Sequence, residues 1–171
     1  KEAAAFHFLS GYTAKVGSTE VGAEAGINPA FSTCFGAAFM PRPAGDYVDL
    51  LVKRIENFNT QVYLINTGWT GGSGAPGGNG SRFPIPVTRA VVKAAQDGIL
   101  IGVQTHHIDC LNLDFPCEIP GVNSRYLDPK ASWGDDDAYE VQAQKLANLF
   151  VENIQQYSIK DAIVLAGPRS G

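Results

Sequence analysis

The chain has 171 residues, of which 44% are hydrophobic and 18% charged, enough for one globular domain with its own core. That composition excludes a disordered chain and a collagen-like repeat. Seventeen acidic against thirteen basic residues leave a net charge of -4, the wrong sign for a protein whose main partner is a nucleic acid. Charged residues, Gly or Pro interrupt every apolar run, so no membrane span and no membrane partner are expected.

The opening residues, Lys1-Glu2-Ala3-Ala4-Ala5-Phe6-His7-Phe8-Leu9, carry an apolar stretch too short and broken for a secretory leader. A start without methionine points to a processed product or an excised piece. Three cysteines, Cys34, Cys110 and Cys117, are an odd number and fit no secreted disulfide framework, which points to a reducing cytoplasm.

Residues 6–35 are rich in Gly, Ala, Ser and Thr without a sustained period and read as loops around short elements. Tyr47, Leu50, Leu51, Ile55 and Phe58 recur at helical spacing, which predicts a helix over 46–58. Residues 61–67, Gln-Val-Tyr-Leu-Ile-Asn-Thr, are short, apolar and β-rich and predict a buried strand. The glycine run over 68–80 then predicts a mobile surface loop. Ala90, Val91, Ala94 and Ala95, with Pro86 before them and Gly98 after, predict a helix over 87–96. Residues 99–103 read as a strand. Proline and glycine break up 104–136, and Asp135-Asp136-Asp137 introduces a long helix over about 138–157. No repeat or linker marks a second domain, so 1–171 is expected to be a single unit.

Four groups of residues bear on chemistry. Gly72-Ser73-Gly74-Ala75-Pro76-Gly77 satisfies G-x-G-x-x-G, but the strand expected before it ends five residues short of Gly72 and no helix opens at Gly77. The match therefore reads as false, although an oxidoreductase that binds NAD through it is the reading it would support. A phosphate loop of the Walker type needs a lysine, and none lies between Lys53 and Lys93.

His106, His107, Cys110 and Cys117 could offer zinc ligands, yet they lack C-x-x-C or H-x-x-x-H spacing, and no metal site is expected. Arg82, Phe83 and Thr88, with Arg89, suit an anionic aromatic ligand: a forked cation, an apolar face and a hydroxyl in the first turn of a helix. The competing reading is a solvated arginine, a core phenylalanine and a capping threonine. Residues 13–20 and 29–36 are small and polar enough to form a lid or an ordinary surface loop. Cys34 has no neighbouring base and is not expected to be a nucleophile.

Several strings then add up to a resemblance: Phe8-Leu9-Ser10-Gly11-Tyr12-Thr13-Ala14-Lys15, Thr19-Glu20, Phe31-Ser32-Thr33-Cys34-Phe35-Gly36-Ala37-Ala38-Phe39, Leu64-Ile65-Asn66-Thr67-Gly68-Trp69, Thr88-Arg89-Ala90, Gly121-Val122, Leu127-Asp128-Pro129 and Ala166-Gly167-Pro168. In this order they resemble the carboxyl-terminal part of the ATP-dependent phosphoenolpyruvate carboxykinases. The resemblance implies an α/β fold, part of the carboxykinase-type mononucleotide-binding domain, with helices packed against a mixed sheet. It implies a lid over about 12–30, including Lys15, Thr19 and Glu20, and a nucleotide-side region over about 31–171.

It also implies that Arg82, Phe83 and Thr88 hold ATP in an enzyme converting oxaloacetate to phosphoenolpyruvate for gluconeogenesis, with Mg2+ and Mn2+. The family's phosphate loop, metal ligands, paired aspartates and substrate arginine correspond to nothing in this chain, so no catalytic or metal-binding residue is assigned and the isolated chain is expected to be inactive. Its expected partner is the N-terminal part of the same polypeptide. Ser81 stands where relatives often have lysine, Gly17-Ser18 where Ala-Gly is usual, and the glycine loop is longer. The rival reading is a stand-alone, non-catalytic nucleotide-binding module.

Overall fold

A computed structural model of the chain describes residues 1–16, 27–72, 74 and 78–171. Helix α1, Glu2–Ser10, forms from an alanine-rich segment. It stops at Gly11, whose φ of +56° closes a left-handed cap with its N–H on the His7 carbonyl at 3.1 Å. A side chain there would overlap the Ser32 carbonyl, so both the turn and the close approach require glycine.

Strands β1, Tyr12–Val16, and β2, Ile27–Phe31, pair antiparallel with Tyr12 opposite Phe31. Two 3-10 turns, Thr33–Phe35 and Ala37–Phe39, lead to helix α2, Ala44–Phe58. The short strands β3, Trp69–Thr70, and β4, Ser81–Arg82, stand at the start of the glycine run and just after it, and helix α3, Ile85–Gln96, follows. Strands β5, Thr105–Ile108, and β6, Leu113–Pro116, form the third hairpin. A 3-10 turn over Ser124–Tyr126 and helices α4, Pro129–Trp133, α5, Asp136–Ile154, and α6, Asp161–Leu165, complete the order.

The main core is built on α1, whose Ala5, Phe6 and Leu9 are essentially inaccessible. Cys34, Val48, Phe150, Ile154 and Ile163 close around them from the first 3-10 turn, α2, α5 and α6. A smaller core joins Ala94 of α3 to Ile119 and Leu127, with Leu100 packed against it. Asp135 caps α5 as its acidic triplet predicts, accepting the Ala138 N–H at 3.0 Å. Asp128 does the same for α4 with Lys130 and Ala131. Among the described residues no helix is long and apolar enough to cross a membrane.

Helices and small sheets are present, but the mixed sheet is replaced. The described residues form three separate two-stranded antiparallel sheets. Residues 61–67 have no regular structure and no ladder partner among the described residues and are mostly exposed, so the expected buried strand is absent. Residues 99–102 of the strand expected over 99–103 form turns: the Ile99 N–H bonds the Ala94 carbonyl and the Ile101 N–H the Gly98 carbonyl, prolonging the end of α3. Left-handed Gly98 and Gly102, each at φ +74°, bracket this segment and curl it. The loop-rich reading of 6–35 missed most of α1, and α5 ends at Ile154 rather than near 157.

His7 sits on α1 with its ring 5.4 Å from both Phe6 and Phe150, and its buried Nε2 has no hydrogen-bond partner among the described residues. Desolvation lowers its pKa from 6.5 to about 4. The unfolded chain therefore binds this proton first as pH falls, and the stability due to neutral His7 is complete above 6.5 and lost on the way down to about 4. Unfolding free energy will drop by about 2 kcal/mol between pH 7 and pH 5. His7→Phe should flatten that slope in urea titrations, and an unchanged slope in the variant would remove His7 as its source.

Candidate functional site

The site is built where the segment 61–67 leads into β3. Asn66 holds that turn: its Oδ1 accepts the Gly68 N–H at 2.9 Å and its Nδ2 donates to the Trp69 carbonyl at 3.1 Å. Trp69 then lies opposite Arg82 in the β3/β4 pair, and the Phe83 N–H closes the ladder on the Gly68 carbonyl at 2.9 Å. Beneath the pair, buried Thr70 donates to Ser132 Oγ at 3.3 Å, and Ser132 donates to the Pro129 carbonyl at 2.8 Å. These bonds tie the hairpin to α4.

This frame sets the side chains. The exposed Arg82 guanidinium lies 5.7 Å from the centroid of the Trp69 ring, within cation-π range. Phe83 is half-buried, its ring 5.7 Å from that of Tyr126 and tilted by 45°. Arg125 covers Tyr126 in turn, with its guanidinium 5.0 Å from the ring centroid. Pro84 ends the strand and α3 begins at Ile85. Thr88 is half-buried in the first turn of α3, and its hydroxyl makes no hydrogen bond among the described residues.

Arg82, Phe83 and Thr88 are thus gathered at one strand-to-helix junction, as the spacing requires. Trp69, Tyr126 and Arg125 extend the group, and the sequence reading missed them as members. Trp69 had a signal in its place at the end of the string Leu64-Ile65-Asn66-Thr67-Gly68-Trp69; in the structure its buried Nε1 has no hydrogen-bond partner among the described residues. Tyr126 and Arg125 lie more than 40 residues away in sequence and had none. A separate shallow depression of about 440 Å³ is lined by His106, Cys117, Ser124, Arg125, Leu127 and Asp128. It adjoins the Tyr126 side of the group and does not include Arg82, Phe83 or Thr88.

The other candidates separate. His106 Nδ1 lies 4.0 Å from Cys117 Sγ across the β5/β6 hairpin, while His107 Nδ1 is 2.9 Å from Asp114 Oδ1. Among the described residues no three His, Cys, Asp or Glu side chains converge as a metal site would require, so they do not fit the Mg2+ or Mn2+ that the resemblance implies. Burial pushes the thiols of Cys34 and Cys110 above their ordinary value, away from nucleophilic reactivity. The strand expected to feed the glycine motif is missing, which removes the βαβ context of a dinucleotide fingerprint. Ser73 and residues 75–77 of the motif lie outside the described residues. Of the lid candidates, Lys15 belongs to β1 opposite Asn28, and Thr19 and Glu20 lie outside the described residues.

Comparison with known proteins gives the group its context. A family model described as phosphoenolpyruvate carboxykinase matches residues 1–125, which includes Arg82, Phe83 and Thr88. A protein of Thermus thermophilus named phosphoenolpyruvate carboxykinase (ATP) is 46% identical over 171 residues, covering 99% of this chain and 32% of the relative. Proteins of the same name from Fusobacterium nucleatum and Lysinibacillus sphaericus are 43% and 44% identical over 99% and 98% of this chain. The chain spans about a third of the length of these relatives. With its match to the family model running from α1 to the turn before α4, the chain belongs to the phosphoenolpyruvate carboxykinase family.

Proposed function

We propose that this chain is the carboxyl-terminal, nucleotide-side portion of an ATP-dependent phosphoenolpyruvate carboxykinase, a carboxy-lyase that turns oxaloacetate and ATP into phosphoenolpyruvate, ADP and CO2. The observation that carries the reading is the Trp69–Arg82 pair beside Phe83, at the mouth of α3 and inside the matched family region. Arg82 supplies a cation for the phosphates or the polarised edge of a purine, Phe83 an apolar surface, and Thr88 a hydroxyl. The remainder of the full-length polypeptide supplies the metal ions' ligands and the bond-breaking groups. Residues 12–30, with Lys15, Thr19 and Glu20, form the lid that excludes water from the reaction.

Arg82→Ala in the full-length protein should raise KM for ATP by about 10- to 100-fold, the loss of one charge-assisted bond of about 1.5–3 kcal/mol, with a smaller change for oxaloacetate. Arg82→Lys should recover part of the loss, because it keeps the charge and loses the planar fork. Equal changes for both substrates would take Arg82 out of the nucleotide site. Turnover by the full-length protein that survives Arg82→Ala with both KM values unchanged would end the clamp reading.

A further inference from the structure

The β5/β6 hairpin divides two adjacent histidines between its faces, as alternation along a strand requires. His107 is committed to carboxylates, with Nδ1 2.9 Å from Asp114 Oδ1 and Nε2 3.8 Å from Asp109 Oδ1. His106 is not. Its register partner is Phe115, whose ring stacks on the imidazole at 5.8 Å and 30°. Cys117 lies two residues further along the same face, held there by its N–H on the Gln104 carbonyl at 2.8 Å. His106 Nδ1 and Cys117 Sγ thereby stand 4.0 Å apart. His106 Nε2 is buried without a hydrogen-bond partner, so among the described residues the thiol is the ring's one hydrogen-bonding neighbour. The pair is made by backbone register within this chain.

Both side chains line the depression of about 440 Å³, a volume within the range of small-molecule sites, together with Ser124 and Arg125. The Arg125 guanidinium forms no ion pair among the described residues and rests on the Tyr126 ring. Asp128, the carboxylate lining the same hollow, is engaged in the cap of α4, where its Oδ1 accepts the Lys130 and Ala131 N–H. A nucleophile, a base and a cation therefore share one hollow, and two ligating side chains are too few for zinc. We infer that Cys117 is a modification site for small anionic disulfides of the glutathione class, with His106 as the base and Arg125 as the anchor for the disulfide's carboxylates. Neutral His106 Nδ1 takes the proton from Cys117 Sγ, and the sulfur attacks one sulfur of the disulfide. The new Sγ–S bond forms as the old S–S bond breaks, and the departing thiolate collects the proton from His106. Cys117 ends oxidised as a mixed disulfide, with one thiol released. Cys34 and Cys110 have no histidine within hydrogen-bond reach among the described residues, and burial holds their thiols protonated.

Incubating the full-length polypeptide with oxidised glutathione and following the adduct at each thiol by peptide mass spectrometry tests this. Cys117 should form its mixed disulfide at least about 10-fold faster than Cys34 and Cys110. His106→Asn should lower the Cys117 rate by about 10-fold or more and leave the slow rates at Cys34 and Cys110 unchanged. Arg125→Gln should slow the reaction with oxidised glutathione and leave that with uncharged 2-hydroxyethyl disulfide as it was. A Cys117 that reacts no faster than the other two thiols overturns the assignment, and that comparison needs no variant, so it decides even where a substitution disturbs the hairpin. An unchanged rate in His106→Asn also overturns it, because the thiol is then merely exposed. Equal slowing with both disulfides removes Arg125 as the anchor, and with it the preference for an anionic partner. No arm uses nucleotide, so the outcome is independent of the reading of Arg82, Phe83 and Thr88.

Discussion

Phe150→Ala will remove about 3–5 kcal/mol of stability, the cost of deleting a buried aromatic ring and leaving its cavity. Phe150 is 4% exposed, and its ring centroid lies 6.0 Å from Phe6, 5.4 Å from His7, 5.2 Å from Tyr12 and 5.2 Å from Phe31. It is the point where α5 meets α1 and the β1/β2 pair, so the cavity opens between three elements at once. Two of its neighbours are themselves held by rigid backbone, Tyr12 directly after the Gly11 cap and Phe31 opposite it in the ladder. The site therefore has little freedom to collapse, which places the loss toward the upper end of the range. Domains of this kind have about 5–15 kcal/mol in all, so urea unfolding at pH 7 should show a large shift in midpoint. Phe150→Leu should cost less than half as much. A loss below about 1 kcal/mol for the alanine variant would mean that Phe150 does not organise this core.

The same packing explains what could be read from the sequence. Helices α2, α3 and α5 were legible because each keeps a polar face to solvent, so its apolar residues recur at helical spacing. Helix α1 was not, because Ala5, Phe6, His7, Leu9 and Ser10 are all buried and little of its surface reports a period. Residues 61–67 and 99–103 mislead for opposite reasons. In 99–103 the short apolar run is ambiguous, and Gly98 and Gly102 bend it into turns that send Leu100 into the smaller core. In 61–67 the strand signal is strong but has nothing within the described residues to pair with. The first is a failure of local reading, the second a local signal that long-range pairing does not answer among the described residues.

At the site, Arg82, Phe83 and Thr88 could be read because they fall within seven consecutive residues around one helix start. Spacing alone could not choose between a clamp and a solvated arginine. The neighbours that complete the group are long-range: Trp69 reaches Arg82 through the β3/β4 register, and Tyr126 reaches Phe83 through a turn that no short-range pattern links to it. Family membership adds to this geometry without replacing it, since the pairing of Trp69 with Arg82 is an observation on this chain.

The chain by itself should bind ATP no better than millimolar and form no phosphoenolpyruvate. Millimolar affinity corresponds to about 4 kcal/mol and micromolar to about 8 kcal/mol. Arg82 can contribute about 1.5–3 kcal/mol, the start of α3 about 0.3–1 kcal/mol, and contact with Phe83 about 1 kcal/mol. Even the largest of these values together fall several kcal/mol short of micromolar binding, before any cost of holding the ligand is charged against them. Exposure weakens the set further, because Arg82 faces solvent and its charge is screened. Turnover asks for more than binding. In-line phosphoryl transfer and a stabilised enolate both need charges concentrated at the reacting atoms, and among the described residues no three metal-ligating side chains meet. Titration calorimetry with ATP and a coupled assay for phosphoenolpyruvate check both halves. Low-micromolar ATP binding would show that the Arg82 group is a complete site on its own, and measurable turnover would show that this chain carries chemistry of its own.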